Sequence, residues 1–268
     1  MMMPAPSPLA ALLLPEQRQR LILTRLAAGG RVLAVELARE FGISEDSIRR
    51  DMRELAAAGL CERVYGGVLP RSPAGGPIAQ RQDQGQARKL ALAAAAVGLL
   101  RQDQLILIDA GSTNAAIASL LPDDLGLTVV TNAPAIAAVL AARRGIALVV
   151  IGGPVDWRSG ASLGARAVRE LATLRADLCF LGVCALDAAA GATGFGCEES
   201  EFKRAAVAAS ASVAVAATND KLGTGAPFAV AAAGAIAHLI VEHDADPAKL
   251  AGFDQAATRI HPARPPHA

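Results

Sequence analysis

A chain of 268 residues, 53% hydrophobic and 19% charged, is larger than most single domains and too apolar to be disordered throughout. Its net charge of +1 excludes a polycation that would hold nucleic acid by nonspecific attraction alone, so any such contact has to be shaped and duplicated. Only 3% of the residues are aromatic, which leaves Ala, Leu and Val to build the core.

The opening M-M-M-P-A-P-S-P-L-A-A-L-L-L lacks the basic n-region of a secretory signal, and no apolar run reaches about 18 residues without a breaker or a charge. The expectation is a soluble cytoplasmic protein with no membrane partner and a disordered N-terminus over residues 1–14. The spacing then predicts a helix over residues 16–27, started by Pro15 and burying Leu21, Ile22 and Leu26.

Residues 31–67 predict two short helices around a tight turn. Gly42 follows Phe41 where the first must stop, because glycine reaches the left-handed C-terminal conformation without penalty. Ile43 fills the turn, and Ser44 offers its hydroxyl to the next helix, with Glu45 and Asp46 in the first turn. Ile48, Met52 and Leu55 then form one apolar face against Leu37, Ala38 and Phe41, leaving Ser47, Arg49, Arg50 and Arg53 on the other. A packed helix pair with a solvated charged face would share this periodicity. The cap, the turn and the hairpin that follows point instead to a winged helix-turn-helix domain over residues 15–70, its second helix placed in a DNA major groove. The hairpin, Leu60 to Leu69, turns at Gly66-Gly67 and carries Arg63 and Tyr65, which could touch phosphates. Packing against the wing base fits Tyr65 equally.

Here the chain resembles the DeoR/GlpR family of bacterial transcriptional regulators, whose S-x-x-T-I-R-R-D-L-x-x-L and R-x-H-G-G-A patterns read S-E-D-S-I-R-R-D-M-R-E-L and R-V-Y-G-G-V. Ser47 replaces a threonine and keeps its hydroxyl; Tyr65 replaces a histidine. The resemblance implies DNA-reading roles for Ser44, Ser47, Arg49 and Arg50, with Asp51 orienting its arginine neighbours. Ten arginines stand against eight acids over residues 16–71, and no lysine precedes Lys89, so the positive charge of this head is entirely the residue suited to bidentate contacts.

The run Pro70 to Pro77, P-R-S-P-A-G-G-P, cannot continue a helix or strand and opens a semi-rigid linker over residues 71–85. Residues 86–254 alternate alanine-rich helical stretches with apolar runs at 105–108, 127–130, 147–151, 178–183, 213–217 and 237–241. That alternation implies a Rossmann-like α/β domain whose parallel sheet is covered on both faces.

Such sheets bind ligands at their strand ends. Asp109-Ala110-Gly111-Ser112-Thr113-Asn114 follows the first strand and opens a helix, a combination suited to a phosphate. Thr131-Asn132 and Gly152-Gly153 end the next two strands in the same manner, and their repetition suggests one pocket, although each alone could be mere capping.

These segments also resemble the DeoR/GlpR sensor domain, with D-A-G-S-T, V-T-N, G-G, E-E-S-E-F-K and T-N-D-K-L-G for the family's D-x-G-T-T, V-T-N, G-G, E-E-A-x-x-K and D-S-S-K-F-G. The resemblance implies a fold similar to ribose-5-phosphate isomerase and CoA-transferases, and an effector that is a phosphorylated sugar or related metabolite. Strand-end placement puts Asp109, Gly152 and Gly153 in the effector site, and the resemblance gives Gly111, Ser112 and Thr113 to phosphate and Thr131 and Asn132 to the sugar, and leaves Lys203 or Lys221 to charge pairing. Thr218 stands where the family has aspartate, removing a carboxylate that could bind sugar hydroxyls. Lys203 could equally pair with Glu199 on a solvated helix.

Cys61, Cys179, Cys184 and Cys197 show no C-x-x-C pair, and the four histidines lie far downstream at no zinc-ligand spacing, so neither metal nor cofactor is expected. Cys197 is the one thiol placed near the pocket. The tail, 255–268, is expected to be disordered. The resulting expectation is a regulator, not an enzyme: a repressor of a sugar or carbon-metabolism operon, with double-stranded operator DNA and a small phosphorylated metabolite as partners. One short helix reads few base pairs, so a homodimer or homotetramer is expected. The alternative is a sugar-phosphate isomerase bearing a DNA-binding head, with Asp109, Asp187 and Glu198 as acid/base groups.

Overall fold

Proline at the first helical position sets the start of the first element in the computed structural model, which describes residues 13–265. Residues 1–12 and 266–268, where terminal disorder was expected, lie outside the described residues. Helix α1 (Pro15–Gly29) buries Ile22 and Leu26, but Leu21 is exposed and Leu23 packs in its place, so the buried arc is rotated from the expected stripe.

Strand β1 (Val32–Leu33) leads into α2 (Ala34–Phe41), α3 (Glu45–Ala57), β2 (Glu62–Val64) and β3 (Gly67–Leu69). The wing is therefore a three-stranded antiparallel sheet in the order β1-β3-β2, one strand more than the hairpin that the sequence suggests. Ile48, Met52 and Leu55 of α3 close over Leu37 and Phe41 of α2 and over α1, making one small core.

The linker is more ordered than a Pro/Gly run implies. Pro73–Gly75 is a 3-10 turn, and α4 (Ile78–Gln82) follows. Backbone hydrogen bonds from Gly225 N to Pro70 O, at 3.0 Å, and from Ser72 N to Gly225 O, at 3.2 Å, dock it on the larger domain. A free backbone next to an exposed sheet end finds partners there, which is why composition alone underestimates its order.

The larger domain continues with α5 (Gln86–Val97), β4 (Leu105–Ile108), α6 (Ser112–Ser119), β5 (Thr128–Thr131), α7 (Pro134–Leu140), β6 (Ala147–Val150), β7 (Val155–Asp156), β8 (Ala161–Ser162), α8 (Ala165–Leu171) and β9 (Leu178–Phe180). Then come β10 (Ala185–Asp187), β11 (Gly191–Gly194), α9 (Cys197–Ala208), β12 (Val213–Ala217), β13 (Phe228–Ala231), β14 (His238–Val241), α10 (Pro247–Gln255) and β15 (Arg259–Pro262). Seven strands form a parallel sheet in the order β15-β14-β12-β9-β4-β5-β6, built on Ile106, Ile108, Val129, Phe180, Val215 and Leu239. Strand order reverses between β4 and β9, and this switch point opens the crevice where a ligand can sit.

Two features depart from the sequence-based expectation. Residues 259–262, placed in a disordered tail, pair in parallel with β14 as an edge strand; a proline is tolerated at that edge. Strands β10, β11 and β13 form a separate antiparallel sheet made largely of small residues. Among the described residues, no helix is long and apolar enough to cross a membrane.

Candidate nucleic-acid interface and effector cavity

The turn between α2 and α3 has the expected chemistry. Gly42 adopts φ 63° and ψ 31°, and Ser44 caps α3 by accepting a hydrogen bond from Ser47 N at 3.3 Å, while the two serine hydroxyls lie 2.9 Å apart. Beyond this cap, α3 presents Arg49, Arg50 and Arg53 to solvent and keeps Ser47 half-buried. Arg49 pairs with Glu45 at 2.7 Å and Arg50 with Glu54 at 3.2 Å, both four residues apart on the helix. The Glu45 carboxylate hydrogen-bonded to Arg49 raises that guanidinium above its ordinary value. Solvated pairs of this kind are weak, so they hold the arginines extended without committing them.

Arg63 and Tyr65 project from the wing. Tyr65 is 99% exposed, which removes the reading in which it packs against the wing base. Its carbonyl instead accepts a hydrogen bond from Arg31 at 2.9 Å.

Asp51 does not orient its arginine neighbours. It is buried and accepts from two of the three guanidinium nitrogens of Arg18, Nε at 2.7 Å and Nη2 at 3.1 Å, a bidentate staple between α3 and α1. The partner lies 33 residues upstream, so no local pattern reveals it. Removing one member of such a pair strands the other, and Asp51→Ala is expected to destabilise the head by about 3 kcal/mol. Urea denaturation followed by far-ultraviolet circular dichroism measures this; a loss below ~1 kcal/mol would show that the pair is dispensable.

At the switch point, β4 delivers Asp109 and α6 begins at Ser112. Asp109 and Lys203 are both buried, and the ammonium of Lys203 donates to Asp109 Oδ2 and, at 2.8 Å, to Gly182 O, while Glu199 Oε1 lies 3.3 Å away. Lys203 is thus not a member of a solvated surface pair. Burial alone would lower the Lys203 ammonium, but the Asp109 and Glu199 carboxylates outweigh it and keep Lys203 charged. Burial pushes the Asp109 carboxyl above the ordinary aspartate range, against the pull of Lys203. Gly182 is required by this packing, because a Cβ there would lie 2.2 Å from Ala110 O.

Above this pair lies a narrow cavity of about 10 Å³ lined by Gly111, Ser112, Thr113, Ser159, Gly182, Cys184, Glu199, Lys203, Lys221 and Arg81, so a ligand larger than a water also needs space from its surroundings. It adjoins a second cavity of about 340 Å³ that shares Arg81, Ser159, Cys184 and Glu199 and is also lined by Glu198 and Cys197. Thr113 Oγ1 is buried without a hydrogen-bond partner among the described residues. Lys221 is only 8% exposed, and among the described residues its ammonium has no ion-pair partner. Burial lowers the Lys221 ammonium below the ordinary lysine value.

Not every expected residue reaches this cavity. Thr131 Oγ1 donates to Ile108 O at 2.7 Å and accepts from Ala133 N at 3.1 Å, while Asn132 accepts from Ala110 N at 3.2 Å. Both are fully buried and brace the backbone of the β4 loop. Gly152 and Gly153 follow β6, two strands from the switch point, and do not line the cavity. Among the described residues, the ends of β4, β9 and β12 converge there, the last through Ala216 and Lys221. Thr218 lies outside the cavity too, and its neighbour Asn219 donates its backbone N–H to Glu242 at 3.0 Å. Asp187 accepts from Ala189 N and Ala190 N and caps the β10–β11 turn, so Asp109, Asp187 and Glu198 are not gathered as an acid/base set. Arg81 comes from the linker, Ser159 from the loop between β7 and β8, and Cys184 from the segment between β9 and β10, where no motif marks them. Among the described residues, no cluster of three His, Cys, Asp or Glu could hold a metal ion.

Comparison with known proteins matches both halves. The family profile "DeoR-like helix-turn-helix domain" covers residues 18–73, and "DeoR C terminal sensor domain" covers residues 84–243. The chain is 33% identical to the HTH-type transcriptional regulator GlpR of Haloferax volcanii, over 79% of this chain and 83% of that one. It is 28% identical to the glycerol-3-phosphate regulon repressor of Escherichia coli K12, over 78% and 84%. Among solved structures, the full-length sorbitol operon regulator SorC from Klebsiella pneumoniae overlaps with a TM-score of 0.42 at 11% identity, covering 92% of this chain and 97% of that one. The helix-turn-helix head and the parallel-sheet domain coincide with the two profile ranges, and the chain belongs to the DeoR family of transcriptional regulators.

Proposed function

We propose that this regulator is a repressor that holds operator DNA as a homodimer or homotetramer and is gated by a phosphorylated sugar or related metabolite. Ser44, Ser47, Arg49, Arg50 and Arg53 read the major groove, and Arg63 and Tyr65 of the wing contact the phosphate backbone. Two copies are needed because a single helix contacts few base pairs.

The observation that carries the effector reading is the buried, unpartnered hydroxyl of Thr113 at the start of α6, which lines the same cavity as Lys221, a buried ammonium with no ion-pair partner among the described residues. An isolated buried cation is costly, and a phosphoryl group on the helix N-terminus satisfies both groups at once. The name of the Escherichia coli relative, a glycerol-3-phosphate regulon repressor, supports the same ligand class.

Calorimetric titration of the full chain with a panel of sugar phosphates, each beside its unphosphorylated sugar, tests this. One sugar phosphate is expected to bind at least a hundredfold more tightly than its parent sugar, and Thr113→Val to weaken it about tenfold. Equal affinity for sugar and sugar phosphate would overturn the reading.

The pH dependence has a definite sign. Burial, with the charges of Arg81 and Lys89, lowers the Lys221 ammonium below its ordinary 10.5. An anion binds the protonated form, so affinity is full below the lowered value and falls as pH rises through it. Dissociation constants measured from about pH 7 to 10 should rise before the ordinary lysine range is reached, whereas a flat profile would show that Lys221 is not involved.

A further inference from the structure

Arg81 stands on α4, within the segment that joins head to sensor, yet it lines the same cavity as Ser112 and Thr113. Its Nε donates to Gly76 O at 3.0 Å, and its backbone carbonyl accepts from the ammonium of Lys89. Among the described residues, its terminal guanidinium nitrogens have no hydrogen-bond or ion-pair partner. Glu199 is the sole carboxylate lining this cavity, and it faces Lys203. Arg81 and Lys221 are therefore two cations left facing a cavity whose floor is a helix N-terminus with an unsatisfied hydroxyl.

Both cations lie on segments that touch the head. Lys221 closes a 3-10 turn four residues before Gly225, whose backbone hydrogen-bonds Pro70 and Ser72 on either side of Arg71. Arg71 in turn pairs with Glu62 of the wing at 2.8 Å. Arg81 lies ten residues beyond Arg71 on the same stretch. Of the remaining cavity walls, Gly111 to Asn114 and Gly182 to Cys184 follow β4 and β9, Ala216 belongs to β12, Glu199 and Lys203 stand on α9, and Ser159 lies between β7 and β8, all of them in the sensor domain.

We propose that Arg81 is an effector-binding residue, closing its guanidinium on a phosphoryl group seated at Gly111–Thr113 opposite Lys221, so that occupancy of the cavity is transmitted to the head through the linker. This rests on the reading of the cavity as a phosphoryl site. A guanidinium suits the role because its planar fork takes two phosphate oxygens at once and stays charged across the working pH range. For the ligand to shift the head, it has to bind the two linker arrangements unequally, and a ligand contact carried by the linker itself supplies that difference.

The test uses the full chain with inorganic phosphate as the probe. Affinity is read by calorimetry and the state of the linker by the rate of thermolysin cleavage within residues 70–85. Phosphate is expected to slow that cleavage in the wild type. Arg81→Gln should bind phosphate at least tenfold more weakly and lose the protection, whereas Arg81→Lys should fall between the two. Its half-buried surface position keeps either variant folded. Phosphate binding by Arg81→Gln at wild-type affinity, while Thr113→Val loses it, would overturn the role of Arg81 and leave the phosphoryl site standing. No phosphate binding by the wild type would overturn both.

Discussion

Replacing Lys203 with methionine is expected to destabilise the sensor domain by roughly 3–5 kcal/mol. The side chain is 2% exposed, and its ammonium holds together Asp109, Glu199 and the Gly182 carbonyl, so its removal strands a buried carboxylate with one backbone N–H for company. A domain of ordinary stability has only about 5–15 kcal/mol in total, so much of it would be lost. For a domain of this size the shift corresponds to a fall in Tm of roughly 10 °C, measurable by scanning calorimetry. A second substitution separates charge from shape. Lys203→Met/Asp109→Leu removes both charges and is expected to recover part of the loss, because two apolar side chains replace a pair whose desolvation is itself costly. If the single variant melts within a degree or two of wild type, the pair is not what fixes the junction of β4, β9 and α9.

The Arg49→Ala/Arg50→Ala variant should leave the fold intact and remove operator binding. Both side chains are largely exposed and pair with Glu45 and Glu54 across single helical turns, so little packing is lost. On DNA each can engage a guanine edge or clamp a phosphate, and loss of one such contact weakens binding roughly tenfold or more. The double variant should therefore bind its operator at least a hundredfold more weakly, with unchanged melting and a shallower salt dependence, because fewer phosphates are neutralised. Retained affinity would move the contact elsewhere, to the wing or to Arg53.

The head was legible because its signals are local. Gly42, the Ser44 cap and the spacing of Ile48, Met52 and Leu55 specify turn, start and buried face within a dozen residues, and the structure realises each of them. What escaped was long-range. Arg18 finds Asp51 across 33 residues, and the wing recruits Val32 and Leu33 from the far side of α2.

The sheet was legible where aliphatic runs stand out, as at Leu105–Ile108 and Val213–Ala217. Gly191–Gly194 forms a strand from small residues with little intrinsic preference for one, held by its neighbours on both sides. Arg259–Pro262 becomes a strand because β14 offers it an unpaired edge.

The cavity was half legible for a related reason. Gly111, Ser112 and Thr113 follow their strand directly, so strand-end reasoning finds them. The same reasoning misplaces Thr131 and Asn132, whose polar atoms turn inward to satisfy neighbouring backbone groups. It cannot find Arg81, which arrives from a linker with no strand at all.

The most direct measurement is fluorescence anisotropy of the full chain on a labelled duplex from its own upstream region, beside a scrambled duplex, with and without the sugar phosphate found by calorimetry. Binding at nanomolar concentration to the upstream duplex alone, lost in the Arg49→Ala/Arg50→Ala variant and weakened at least tenfold by the sugar phosphate, is the predicted result. Equal binding to both duplexes, or operator affinity that no sugar phosphate changes, would contradict an effector-gated repressor.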